Sequence, residues 1–264
     1  MSILFTLVYL FLFIIIFIIV LIFSLVITIT IALLTLVERK VLSIIQRRVG
    51  PNSVGYRGRL QFIADALKLL LKGIHVPDLT NRKLFVIVPA IGLVICYTFW
   101  TNSIWGSSVV IVELEYNIVY AGIMSIFFSM CIILIGIFSR NKYSVLSAVR
   151  SCCMVVNLEI LLGFFFLFVV SFGESFSFSS IINLQSSNFY FIYSILPILP
   201  IFIIIFLLET NRAPFDLVEA ESELIAGYTT ELGGFFFALF YLGEYFHLFF
   251  FSLITSCLVF GGWN

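Results

Sequence analysis

Charge is what this chain of 264 residues has least of: Asp, Glu, Lys and Arg together make up 11% of it. A soluble domain carries about a quarter, so this chain cannot clothe itself against water. Hydrophobic residues make up 62% and mean hydropathy is +1.21. Those values also exclude intrinsic disorder, which needs low hydrophobicity and high net charge. Fourteen basic residues balance fourteen acidic ones, so the basic excess of a nucleic-acid binder is missing. Membrane lipid is the expected surrounding, and no nucleic-acid partner is expected. Chemistry-bearing motifs are scarce too. Cys96, Cys131, Cys152, Cys153 and Cys257 form no CxxC and no Cys/His cluster, so no metal or iron–sulfur site is read and they serve as small apolar fillers. GxSxG, P-loop, GxGxxG and paired haem histidines are all lacking, which leaves no independent hydrolase or redox chemistry and no catalytic residue to name. The two histidines stand alone: His75 reads as a surface residue and His247 as a lipid-interface residue.

What is there is apolar sequence in long runs. A membrane β-barrel would show alternation, whereas these runs are continuous. They predict an all-α polytopic membrane protein of about six transmembrane helices, near residues 3–37, 84–105, 118–138, 148–171, 188–208 and 232–260. The first run has no charge, lacks a basic start and is too long for a signal peptide; it predicts a tilted helix or one that extends beyond the bilayer. The 32 Phe residues and long Ile tracts fit a gene rich in A and T, as organellar genes are. Ten of the fourteen basic residues lie between Arg39 and Lys83, and Arg140, Lys142, Arg150 and Arg212 complete the set. With six spans all of them fall on one face, which is a positive-inside pattern. Residues 61–72 place Phe62, Ala66, Leu69 and Leu70 on one helical face, as in an amphipathic helix along the membrane surface. No internal repeat or linker divides the chain, so one membrane domain over 1–264 is expected.

Against this background the acids inside the spans stand out. Glu159 lies mid-span, Glu209 ends the fifth run and Glu244 lies within the sixth. A charge at the centre of a bilayer costs roughly 2.5–3.5 kcal/mol on insertion scales. One such residue can be a hydrogen-bonded helix contact; three in one small bundle point to a proton route. The stretch from Glu209 to Glu231 adds Asp216, Glu219, Glu221 and Glu223, with Arg212 as its single base. Asp216, Glu219 and Glu223 share a face if helical. So much acid on the basic side must be partly protonated or paired, and such a cluster can hold and pass protons. Glu38-Arg39-Lys40 and Gln46-Arg47-Arg48 would form a mixed-charge funnel at the membrane surface, suited to a polar headgroup with an apolar tail.

Several strings together carry a resemblance: Glu38-Arg39-Lys40-Val41-Leu42 with Gln46, Arg48, Gly50 and Pro51; Ala64-Asp65-Ala66-Leu67-Lys68; Asn141-Lys142-Tyr143 leading into Ala148-Val149-Arg150; and above all Glu209-Thr210-Asn211-Arg212-Ala213-Pro214-Phe215-Asp216 followed by Glu219, Glu221, Ser222, Glu223 and Leu224. Over nearly its whole length the chain resembles the NADH–ubiquinone oxidoreductase chain 1 family, the quinone-chamber membrane subunit of mitochondrial respiratory complex I. The resemblance implies a core subunit of a proton-pumping NADH:ubiquinone oxidoreductase in the mitochondrial inner membrane, with basic loops facing the matrix. Glu38, Arg39, Arg48, Asp65, Phe215 and Tyr241 would be quinone-chamber residues. Asp216, Glu219, Glu221, Glu223 and Glu231 would line the chamber and its funnel, and Glu159, Glu209 and Glu244 would carry the path onward. Ubiquinone would be the substrate. NAD, flavin and iron–sulfur centres would sit in partner subunits of the peripheral arm, and small membrane subunits would pack beside the chain. Departures from the family pattern are Gly73 after Lys72, Met154, Leu158 and Leu232, each replacing a hydrogen-bonding residue. The family has eight spans, so a separate chain supplying the last two helices is expected, a truncated sequence being the alternative. Two further readings use the same features: a membrane subunit of a related hydrogenase complex, and a carboxylate-based secondary transporter, against which stands the lack of paired half-repeats.

Overall fold

The computed structural model describes residues 2–73, 76–77, 80–103, 106, 112, 114–187, 191–212, 215 and 227–263, the side chains of residues 2–17 excepted. No strand occurs among the described residues. Among the described residues five helices are long and apolar enough to cross a bilayer, and the chain is an all-α polytopic membrane protein. It divides into two compact units, residues 1–68 and 69–264.

In the first unit α1 runs from Ser2 to Ile45, 44 residues. At 1.5 Å per residue that is roughly 66 Å, about twice the hydrocarbon thickness of a bilayer. The helix continues past Val37 through Glu38-Arg39-Lys40 because no glycine or proline interrupts it before Gly50-Pro51. It ends in a Schellman motif. Arg47 adopts a left-handed φ of 54°, its N–H donates to the Ile44 carbonyl at 3.1 Å, and the Arg48 N–H reaches back to Ser43 at 2.9 Å. Beyond it a 3-10 turn spans Tyr56–Gly58. Gly58 has φ 71°, and a Cβ there would collide with the Pro51 carbonyl. The amphipathic α2 covers Gln61–Leu71, as its periodicity predicts, and buries none of its side chains.

The second unit is built on α3 (Arg82–Thr101), α4 (Asn117–Phe138), α5 (Lys142–Gly173) and α9 (Gly234–Val259). α3 packs on α4 and α9, and α4 packs on α5. The core between them is aromatic: Phe99 stacks on Phe250 at 4.7 Å, Trp100 meets Phe249 at 5.0 Å, and Phe128 stacks on Phe240 at 5.8 Å. Outward side chains such as Ile160 and Phe164 are apolar and exposed, as lipid-facing surface should be.

The fifth expected span is not continuous. α7 (Phe191–Ile195) and α8 (Leu199–Glu209) are separated by a turn over 196–198. Pro197 has no N–H to give the ladder, the Ile198 N–H closes the turn on Ile195 at 2.8 Å, and Pro200 falls in the first turn of the next helix, where proline is tolerated. α6 (Phe178–Ser187) lies before it and was not expected. It buries Phe178, Ile181, Ile182 and Gln185, a helical stripe obscured by its many serines. The Gln185 amide donates to the Cys257 and Leu258 carbonyls, both at 3.2 Å, near the end of α9.

α4 and α5 approach closely at Gly136. A Cβ there would come within 2.7 Å of Ala148 Cβ and 2.8 Å of the Ser144 carbonyl. Gly136→Val is therefore expected to lower the thermal midpoint in mild detergent, with an overpacking penalty of about 1–3 kcal/mol. Gly163→Ala, where nothing lies within 4 Å, is the control and is expected to leave the midpoint unchanged.

Candidate functional site

Among the described acids of the second unit, Glu244 lies on α9, Glu209 and Glu231 lie at or near the ends of elements around it, and Glu159 lies midway along α5. α5 carries Glu159, Leu162, Gly163, Phe166 and Val170 along one helical stripe, and these line a cavity of about 290 Å³. α4 supplies Ile118, Gly122 and Ser125 to the opposite wall, and Glu209, the last residue of α8, also opens onto it. The lining is apolar apart from Ser125 and the two carboxyl groups. The Glu159 Oε1 atom is buried and has no hydrogen-bond partner.

From Glu209 the line continues into α9. Glu209 Oε1 lies 3.9 Å from His247 Nε2, with the two side chains only 7% and 6% exposed. The imidazole is held by rings: Phe251 at 4.7 Å, Phe128 at 5.0 Å and Phe99 at 5.7 Å between centroids. One turn earlier on α9, Glu244 accepts a hydrogen bond from the Tyr228 hydroxyl. Tyr228 is itself fully buried, in a 3-10 turn (Gly227–Thr229) that packs on α4 and α5. Glu231 follows that turn and accepts from the Asn141 amide at 2.7 Å, while Asn141 Oδ1 caps α5 by accepting from the Tyr143 N–H.

His247 corrects an expectation. Read as a lipid-interface residue, it is 4% exposed and lies inside the aromatic core. The spacing held the signal: His247 is three residues after Glu244, hence on its face of the helix. Cys96, Cys131 and Cys257 are buried, Cys152 and Cys153 are exposed on α5, and all five are free.

Of the expected chamber residues, Tyr241 and Phe215 lie in the second unit. The Tyr241 hydroxyl is 3.1 Å from that of Tyr245, Phe237 stacks on Tyr241 at 5.5 Å, and the Arg212 guanidinium covers the Tyr245 ring at 4.7 Å. Phe215 is half-buried, and its N–H donates to the Arg212 carbonyl at 2.8 Å. In the first unit Arg39 Nη1 pairs with Asp65 Oδ2 at 2.5 Å, and Gln61 donates to the other Asp65 oxygen at 3.0 Å. Glu38 is half-buried and Arg48 exposed. Asp216, Glu219, Glu221 and Glu223 lie outside the described residues, as does His75.

The family model described as NADH dehydrogenase matches residues 4–264. The chain belongs to that family. Among its relatives, "NADH-ubiquinone oxidoreductase chain 1" of Paramecium tetraurelia is 56% identical over 88% of this chain and 89% of its own length. The protein of the same name from Metridium senile is 37% identical over 88% of this chain and 70% of its own length. Membership agrees with the strings that carried the resemblance.

The two polar contacts differ in what they contribute. In this NADH dehydrogenase family member, Tyr228→Phe removes a buried donor from Glu244 and is expected to destabilise by about 1–3 kcal/mol. Asp65→Asn breaks a pair whose side chains are 50% and 34% exposed, and is expected to change stability by less than about 1 kcal/mol. Thermal midpoints of the two variants in mild detergent check the order.

Proposed function

We propose that this chain is the core membrane subunit of a proton-translocating NADH:ubiquinone oxidoreductase in the mitochondrial inner membrane, its basic loops facing the matrix. The names of its relatives support the complex, and the carboxyl groups set within the helix bundle support the task. NADH oxidation, with its flavin and iron–sulfur centres, belongs in this reading to partner subunits of a peripheral arm, while small membrane subunits pack beside this chain.

Reduction of a quinone to quinol takes up two electrons and two protons and changes the charge at the headgroup. Carboxyl groups in a dry bundle answer such a change by exchanging protons, because their charged forms are poorly solvated. Glu209 is the observation that carries the reading: it is almost fully buried, faces Glu159 across a shared cavity and has α9 on its other side. Glu231 and Glu244 belong to the same path. So do Asp216, Glu219, Glu221 and Glu223, by the resemblance alone. The quinone headgroup meets Arg39, Asp65, Glu38 and Arg48 of the first unit. In the second unit, Tyr241 and Phe215 stand beside the Arg212–Tyr245 stack.

In the assembled complex reconstituted into vesicles, Glu209→Gln or Glu159→Gln is expected to slow proton pumping by at least about tenfold, since a positioned proton-transfer group contributes roughly a hundredfold or more. Unchanged pumping in either variant removes that residue from the path. Arg39→Met is expected to impair reduction of a short-chain quinone more than reduction of a hydrophilic artificial acceptor by the peripheral arm. Equal loss of both activities would point to misassembly.

A further inference from the structure

His247 is a polar side chain in a place where packing alone would select phenylalanine. Phe99, Phe128 and Phe251 surround it at 4.7–5.7 Å, and its Nε2 atom is buried without a hydrogen-bond partner. Buried polar atoms in native proteins are nearly always satisfied, and exceptions call for a functional explanation. That nitrogen points towards the Glu209 carboxyl, 3.9 Å away. Glu244, three residues earlier on α9, shares the helix face of His247. Glu209 opens on its far side into the cavity that holds Glu159.

We propose that His247 relays protons between Glu244 and Glu209. The inference rests on the proton-path reading above and adds to it the group that connects two of its acids. A carboxylic acid at Glu244 gives its proton to one imidazole nitrogen, leaving a carboxylate and an imidazolium. The imidazolium then releases a proton from Nε2 to a carboxylate at Glu209. One proton has moved, the ring is neutral again in its other tautomer, and no electron or co-reactant takes part. Rotation of the ring then turns its protonated nitrogen towards Glu209 and its bare nitrogen towards Glu244, ready for the next proton. The gap of 3.9 Å is about 1 Å longer than a hydrogen bond, so each transfer needs a side-chain rotation or one bridging water. Imidazole suits this task because its two nitrogens can accept on one side and donate on the other.

The test uses the assembled complex in vesicles, with NADH:ferricyanide reduction as the measure of assembly. His247→Phe keeps the ring packing and removes both nitrogens. Relay predicts that it pumps at about one tenth of the normal rate or less, with kcat for quinone reduction lowered and KM unchanged. A packing role predicts that it pumps normally. Glu209→Gln is run beside it. Normal pumping by His247→Phe with slow pumping by Glu209→Gln overturns the relay and leaves the path standing. Normal pumping by both overturns the path and the relay with it. If His247→Phe does not assemble, His247→Gln, which stays polar but cannot pass a proton through itself, is read in the same way: slow pumping supports the relay and normal pumping overturns it.

Discussion

A carboxyl group inside a helix bundle must bind a proton or face a donor, because neither lipid nor packed aromatic rings can solvate its charge. Much of the second unit is arranged around that demand. Glu244 has the Tyr228 hydroxyl, Glu231 has the Asn141 amide, and Glu209 has the His247 ring nearby. Tyr228 and Asn141 come from segments that would otherwise be plain connections. A buried 3-10 turn brings the tyrosine in, and the N-cap of α5 supplies the asparagine. Elements that look like linkers thus set the environment of the acids.

Close helix approach makes the arrangement possible. Gly243 on α9 lies so near α4 that a Cβ would come within 3.2 Å of the Phe128 ring, and Gly92 on α3 faces Cys131 at 3.7 Å. Small residues at helix contacts let backbones and large rings approach. Phe128 then reaches across to stack on both Phe240 and His247, fixing one face of the imidazole. The chain's heavy use of phenylalanine thereby becomes structural: the rings pack around His247 and fill the core beside Glu244.

Much of this was legible in the sequence. The runs behind α3, α4, α5 and α9 predicted helices to within a few residues at most ends, since continuous apolar sequence of that length has few other stable forms. Glu159, Glu209 and Glu244 stood out because charge is so expensive in such runs. Arg39 and Asp65 were each singled out through family strings, but their pairing was not read from the sequence, since 26 residues separate them. Three features were missed for physical reasons. The break at Pro197 sits in an apolar run that hydropathy reads as unbroken. α6 is masked by serines, which turn their hydroxyls onto their own helix carbonyls, as Ser180 and Ser186 do. His247 looked isolated because its partner Glu209 is distant in sequence, although Glu244 was one helical turn away.

The central claim is that these acids and the imidazole form one line and not several separate sites. A double-variant cycle with Glu159→Gln and His247→Phe tests it most directly, reading proton pumping by the assembled complex in vesicles. Groups in series on one line give a double variant that pumps no more slowly than the slower single variant. Residual rates that multiply would show two independent contributions and would contradict a single line.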